Sequence, residues 1–211
     1  MNLSDIRRDY QLKQLDPKEV NADPIRQFEV WINEALDAKI SDPTAMTLAT
    51  ATADGKPSAR IVLLKYFSHD GFFFFTNYES RKGTELAENE QAALLFFWPE
   101  LERQVRVEGH VIKASPELSD NYFASRPPES QLSAAISPQS KEVKDRSFLE
   151  ELWTKKQQEL GDDTIHRPDF WGGYRLVPEK IEFWQGRSNR LHDRVLYSRS
   201  ADAWKLVRLA P

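Results

Sequence analysis

The chain has 211 residues, 29 basic and 33 acidic side chains, a formal net charge of −4 and no cysteine. Its length fits one domain or two small ones. Surface scaling gives about 10,000 Å² folded against about 35,000 Å² unfolded, enough for a core without covalent staples. Without cysteine there can be no disulfide, thiolate nucleophile, cysteine-ligated zinc or iron–sulfur cluster. The histidines, His69, His110, His166 and His192, lack the spacing of a helical metal motif, so no metal site is expected. The longest apolar run spans residues 92–98, where a membrane helix needs about 20 residues. The opening MNLSDIRRDY has no apolar segment of the kind a secretory signal carries. The acidic balance argues against a general nucleic-acid binder, and an acidic pI near 5.7 fits a cytoplasmic protein.

The charge is uneven. Residues 180–211 hold seven basic and three acidic side chains, and the remainder holds 22 basic and 30 acidic. A basic tail on an acidic body points to a local anion site.

Residues 1–22 are polar without a period and read as a flexible arm, leaving 23–211 as a single domain. Asp23-Pro24 supplies a favoured cap and first-turn residue. From there Ile25, Phe28, Trp31, Ile32, Ala35, Leu36 and Ile40 mark one face of a helix. Strands are expected at 46–53, 58–67 and 72–77, with Asp54-Gly55 and Asp70-Gly71 turns making an antiparallel meander. A short helix follows at 80–89, then a buried strand at 92–98. Residues 102–113 alternate, with Val105, Val107 and Val111 on one face and Gln104, Arg106, Glu108 and His110 on the other. A helix at 116–125 is broken by Arg126-Pro127-Pro128. Residues 130–140 read as a small-residue loop, 145–160 as a charged helix, and 173–177, 180–185, 194–199 and 203–209 as strands. About eight short strands with interspersed helices predict a mainly β fold, a closed or split antiparallel barrel with flanking helices.

Four clusters could carry chemistry. Arg190, His192 and Arg194 alternate, so a strand there would aim all three at one face. They could hold an anion, or form a solvated edge paired with Asp193 and Glu182. Arg60 and Lys65 bracket Ile-Val-Leu-Leu and would face opposite ways on a regular strand. They could contact ligand or simply end a buried strand in water. Ser80-Arg81-Lys82 opens a helix, where free N–H groups and the helix dipole favour a phosphate; an ordinary cap would look the same. Tyr122, Arg126 and Ser130 could converge on a second phosphate, although an arginine at a helix end is common. No nucleophile–base pair or Gly-rich phosphate loop is visible, which leaves an organic cofactor.

Together these residues resemble a family. Glu182-Phe-Trp-Gln185, followed by Arg190-Leu-His-Asp-Arg194, is similar to the signature of the pyridoxine (pyridoxamine) 5′-phosphate oxidases. Arg60-Ile-Val-Leu-Leu-Lys65, Thr76-Asn77, Ser80-Arg81-Lys82, Glu102-Arg-Gln-Val105, Ser125-Arg-Pro127, Ser137-Pro-Gln-Ser140 and the terminal Arg208-Leu-Ala-Pro211 fall in the family's order. Arg7-Arg-Asp-Tyr10 is similar to its N-terminal arm.

The resemblance implies a homodimeric split β-barrel with FMN at the subunit interface. It implies cofactor binding by Arg60, Ile61, Val62, Leu63, Leu64, Lys65, Phe75, Thr76, Arg81, Lys82, Gln104, Gln139, Ser140, Trp184 and Arg194. Among these, Arg60, Arg81 and Lys82 would serve the FMN phosphate, and Gln104, Trp184 and Arg194 the isoalloxazine. Lys65, Tyr122, Arg126 and Ser130 would hold the substrate phosphate. Arg190 and His192, the catalytic pair, would face the pyridine ring, with Arg7 and Tyr10 closing over it. The implied reaction moves hydride from C4′ of pyridoxine or pyridoxamine 5′-phosphate to flavin N5, and dioxygen then reoxidises the flavin to give hydrogen peroxide and pyridoxal 5′-phosphate. A fixed cation such as Arg194 would stabilise the charge gained by reduced flavin. The rival readings are another flavin-barrel oxidoreductase, a carrier of phosphorylated vitamers, and a nucleic-acid-binding barrel.

Overall fold

The computed structural model describes residues 1–5, 9–160, 163–201 and 203–211. Among these residues, five α-helices flank one nine-stranded antiparallel sheet. The helices are α1 (Pro24–Asp37), α2 (Arg81–Glu88), α3 (Pro116–Ala124), α4 (Pro128–Ile136) and α5 (Arg146–Leu160). The strands are β1 (Ala45–Ala51), β2 (Pro57–Leu63), β3 (Tyr66–Ser68), β4 (Gly71–Asn77), β5 (Gln91–Trp98), β6 (Arg103–Lys113), β7 (Trp171–Gln185), β8 (Asp193–Ser200) and β9 (Ala203–Leu209).

The sheet runs β2-β1-β5-β6-β7-β4-β3, and β8 joins β7 and carries β9. Strand β7 is long enough to serve three neighbours. Residues 174–185 of it meet β6, 171–176 meet β4 and 180–185 meet β8. That branching curls the sheet into a split half-barrel, in agreement with the expected mainly β class.

Helix α1 caps the apolar side. The Asp23 carboxylate accepts from Ile25 N–H at 2.9 Å. Phe28 is fully buried, with its ring centroid 5.0 Å from those of Phe67, Phe72 and Phe96. Trp31 meets Phe183 edge-on at 5.1 Å. One helix face therefore ties β3, β4, β5 and β7 together, and edge-to-face pairing adds to area burial. Val105, Val107 and Val111 point into this core, as their alternation requires.

The structure corrects several expectations. The meander forms only in part: β1 pairs with β2, and residues 66–68 pair with β4, but β2 and β4 are not neighbours, and the other edge of β4 pairs with β7. The strand expected at 58–67 breaks after Leu63; the N–H of Leu64 goes to Thr44 O and that of Lys65 to Phe73 O, so the chain changes partners there. The two strands expected at 173–177 and 180–185 are one. Glu179 is the extra residue where the register slips between Glu108 and Gly109, and a bulge is where a strand tolerates a proline such as Pro178. The loop expected at 130–140 contains α4, which Pro128 starts and the buried Leu132 anchors.

Residues 9–22, expected to be a flexible arm, hold no regular helix or strand but are docked on the body. Glu102 accepts from Gln11 N–H at 2.8 Å and Leu12 N–H at 3.1 Å. Leu15 joins the core at 5% exposure. Arg7 lies outside the described residues. Among the described residues no helix is long and apolar enough to cross a membrane.

Candidate functional site

A cleft of about 550 Å³ opens between β2, β4, α2 and α3. Its lining includes Arg60, Ile61, Val62, Leu63, Lys65, Phe75, Thr76, Lys82, Tyr122, Arg126, Ser130 and Gln139. Four of the lining residues are cationic and none is acidic. Arg60 and Lys65, expected on opposite faces, line the same cleft. The break after Leu63 resets the side-chain alternation between them.

Lys82 projects from the first turn of α2 and is only 9% exposed. Its Nζ reaches Thr76 Oγ1 at 3.2 Å, Ser80 Oγ at 3.3 Å and Gln139 Oε1 at 3.2 Å, all neutral oxygens. Burial, and then the nearby Arg60 charge, push its pKa below the ordinary lysine value, with Glu85 pulling the other way. Arg60 donates to Thr50 Oγ1 at 2.5 Å, to Leu48 O at 3.2 Å and to Glu85.

Glu85, beneath the cleft, is the residue that sequence reasoning missed on this side. Burial opposes its ionisation, but hydrogen bonds from Ser58, Thr50, Arg81 and Arg60 outweigh it and bring its pKa down to about 2. Arg81 is outside the cleft lining, with its Nε on Glu85 Oε1 at 2.8 Å.

At the other end Phe75, Tyr122 and Trp171 form a parallel aromatic stack. Phe75 and Tyr122 centroids are 3.9 Å apart, and Tyr122 and Trp171 are tilted by only 10°. Arg126 lies over the Trp171 ring at 4.8 Å, and its buried Nη1 has no hydrogen-bond partner. Trp171 and Pro127 also line the cleft and were missed. The Gly172-Gly173 pair following Trp171 was the available signal. A Cβ on Gly173 would sit 2.8 Å from the Phe75 ring, so glycine is what lets the stack form.

The remaining expected residues lie elsewhere. Leu64 is buried in the core, and Ser140 stands outside the cleft with φ at 70°. Gln104, Trp184 and Arg194 form one row across β6, β7 and β8, directly opposite one another in register. Arg194 grips Glu182 through Nε at 2.8 Å and Nη2 at 3.0 Å. Those bonds raise its pKa further. The rings of Tyr10 and His192 cluster on Trp184, at 5.8 Å and 4.7 Å. His192 Nδ1 accepts from Arg187 N–H at 3.1 Å, which leaves the proton of a neutral ring on Nε2.

The expected alternation of Arg190, His192 and Arg194 on one strand does not occur. Residues 188–190 form a tight turn with Asn189 and Arg190 left-handed at φ 56° and 59°, and β8 begins only at Asp193. Arg190 is exposed on that turn. The site residues thus fall into two groups, a cationic cleft and an aromatic row, on different parts of the sheet.

The fold and site together define a split antiparallel barrel with a cationic, anion-accepting cleft. A family model described as "Pyridoxamine 5'-phosphate oxidase" matches residues 32–151. A second, described as "Pyridoxine 5'-phosphate oxidase C-terminal dimerisation region", matches residues 171–211. The chain belongs to the pyridoxamine 5′-phosphate oxidase family and carries its dimerisation region. It is 54% identical over 210 residues to a protein named pyridoxine/pyridoxamine 5′-phosphate oxidase from Paraburkholderia phymatum, covering 99% of both chains. It is 55% identical over 215 residues to the protein of the same name from Burkholderia mallei, again covering 99% of both. Among solved structures it resembles PhzG from Burkholderia lata in complex with tetrahydrophenazine-1-carboxylic acid, with a TM-score of 0.90 and 30% identity over 97% of this chain and 100% of that one. A pyridoxamine 5′-phosphate oxidase-related, FMN binding protein from Nostoc punctiforme shares the fold at a TM-score of 0.71 and 17% identity, covering 91% and 100%.

Proposed function

We propose that this chain is an FMN-dependent cytoplasmic oxidase that converts pyridoxine 5′-phosphate and pyridoxamine 5′-phosphate to pyridoxal 5′-phosphate, with dioxygen as the final acceptor. The observation that carries the reading is the cleft with four cations and no carboxylate in its lining. Glu85 offsets Arg60 from beneath, and the remaining surplus of positive charge favours the entry of anions. The donor set fits two phosphates. Lys82 Nζ has only neutral oxygens around it, and Arg126 Nη1 is buried without a partner. The names of the relatives at 54% and 55% identity support the same substrates.

In this reading Arg60 and Lys82 hold the cofactor phosphate, with Thr76 and Gln139 beside them. Lys65, Tyr122, Arg126 and Ser130 hold the substrate phosphate. Remote anchoring of that kind turns binding energy into positioning at the reacting carbon. Bound FMN would supply the hydride acceptor. The row of Gln104, Trp184 and Arg194, with Tyr10, Arg190 and His192 beside it, is brought to the cleft of a second copy. Arg194, held still by Glu182, offers its remaining guanidinium N–H groups as oriented donors, and His192 offers its Nε2 proton as a donor.

The single chain exposes 12844 Å², against about 10,000 Å² for a compact monomer of this mass. Large apolar side chains stand in water on β2 and β5, with Ile61 at 65% and Phe97 at 52% exposure. Both facts support a homodimer.

The test is an absorption spectrum followed by anaerobic addition of pyridoxine 5′-phosphate. A yellow protein that bleaches, then recovers in air as pyridoxal 5′-phosphate appears, is the expected result. A yellow protein that does not bleach rejects the substrate. A colourless one that does not take up FMN rejects the cofactor. The likeness to PhzG favours a second reading, a reduced phenazine carboxylate as substrate. Bleaching by such a compound and not by pyridoxine 5′-phosphate would establish it.

A further inference from the structure

Arg126 is held without a counter-charge. Among the described residues no carboxylate lies within ion-pair distance of it, and its Nη1 is buried with no hydrogen-bond partner. What holds it is aromatic. Its guanidinium carbon lies 4.8 Å from the Trp171 ring centroid and 5.8 Å from that of Phe123. Trp171 is itself fixed from three sides, stacked with Tyr122 at 6.1 Å and Phe75 at 5.8 Å and met edge-on by Phe123 at 5.1 Å. The indole is only 6% exposed, so it cannot swing away from the guanidinium.

The contrast with Arg60 is instructive. Arg60, in the same cleft, is positioned by the Glu85 carboxylate at 3.1 Å. A carboxylate fixes a guanidinium but cancels much of its charge for any third group. An aromatic face orients it by cation–π attraction and leaves the net charge at +1. A guanidinium on a tryptophan also keeps its N–H fork free for bidentate contact with a phosphate.

We propose that Trp171 is the positioning residue of the phosphate subsite, a fixed aromatic backing that aims Arg126 and leaves its charge uncompensated for a phosphate monoester. The inference rests on the substrate reading above and adds to it the origin of the preference for phosphorylated over unphosphorylated ligand.

The test uses the flavin-loaded protein and an unreactive ligand pair, 4-deoxypyridoxine 5′-phosphate and 4-deoxypyridoxine, titrated calorimetrically. The ratio of the two dissociation constants measures the phosphate subsite alone. Trp171→Met fills the space without a π face, and the ratio falls about tenfold while flavin content stays that of the wild type. Trp171→Phe keeps a smaller ring, and the ratio falls only about two- to threefold. In turnover with pyridoxine 5′-phosphate, Trp171→Met raises KM with kcat within about twofold, the signature of lost uniform binding. An unchanged ratio in Trp171→Met overturns the proposal. Should that variant not fold, an unchanged ratio in Trp171→Phe overturns it instead. A wild-type protein that does not prefer the phosphorylated ligand overturns the substrate reading itself, which keeps the two failures distinct.

Discussion

Arg60 Nη2 and Glu85 Oε2 lie 3.1 Å apart beneath the cleft, and the carboxylate side chain is only 4% exposed. Glu85 also takes hydroxyl hydrogen bonds from Thr50 at 2.5 Å and Ser58 at 2.6 Å. Its pKa of about 2 against the ordinary 4.5 means that its contribution to stability is complete above pH 4.5 and is lost as pH falls through 2. Glu85→Gln should therefore lower Tm at pH 7, by an amount corresponding to about 1–3 kcal/mol, and the gap to wild type should close between pH 4.5 and 2. Thermal melts across that range check it. A gap of equal size at both ends would show that ionisation of Glu85 is not what stabilises the pair.

Lys82 stands in the opposite position, a buried ammonium with only neutral oxygens as partners. Removing it relieves a desolvation cost in the empty protein and removes a charge-assisted bond from the bound one. Lys82→Met should raise the Tm of the apoprotein and weaken FMN binding by about ten- to a hundredfold, the equivalent of one hydrogen bond to a charged group. Fluorescence titration of FMN against the apoprotein, with melts alongside, separates the two effects. Tighter or equal FMN binding would remove Lys82 from the phosphate site.

Arg190 is exposed on a left-handed turn at φ 59°. Alanine carries a Cβ as arginine does, so the backbone cost of that conformation is about the same for both. Arg190→Ala should then leave the fold and FMN affinity within about twofold and cut kcat by more than about tenfold. Comparable losses of flavin and turnover would place Arg190 on the cofactor instead of the substrate.

The N–H of Ala114 donates to Gly173 O, and Tyr78 Oη donates to the same oxygen at 3.1 Å. A methyl group on Gly173 would meet the Phe75 ring at 2.8 Å and Ala114 Cβ at 2.9 Å. Gly173→Ala should cost about 1–3 kcal/mol by overpacking and displace Phe75 from Tyr122. Melting temperature and near-ultraviolet dichroism report the two consequences. A variant with wild-type values for both would mean that β7 yields at this point at no cost.

Much of the fold was legible because the information was local. The Asp23-Pro24 cap, the apolar face of α1 and the alternation of β6 each depend on residues within one or two turns of one another, and the structure agrees with all three except that Leu36 is 51% exposed and Ile40 lies beyond the end of α1. The errors share a cause. The meander is split because β4, which keeps residues 66–68 on one edge, pairs on the other with β7 across some 95 residues, and no pattern inside β4 names that partner. The α4 segment, rich in Ser and Ala, is helical because Leu132 finds a buried place, which its sequence neighbours do not reveal.

The same division runs through the site. The sequence by itself determined which residues can carry charge, ring or hydroxyl. Family membership was equally legible there, through motifs spread along nearly the whole chain. Only the tertiary structure decided that Arg60 and Lys65 share one cleft, that Glu85 backs the first cation and Trp171 the last, and that Gln104, Trp184 and Arg194 stand in one row away from them. The physical reason is that side-chain type is fixed by the residue, whereas charge compensation, burial and facing are properties of pairs whose members meet only when distant strands close on one another.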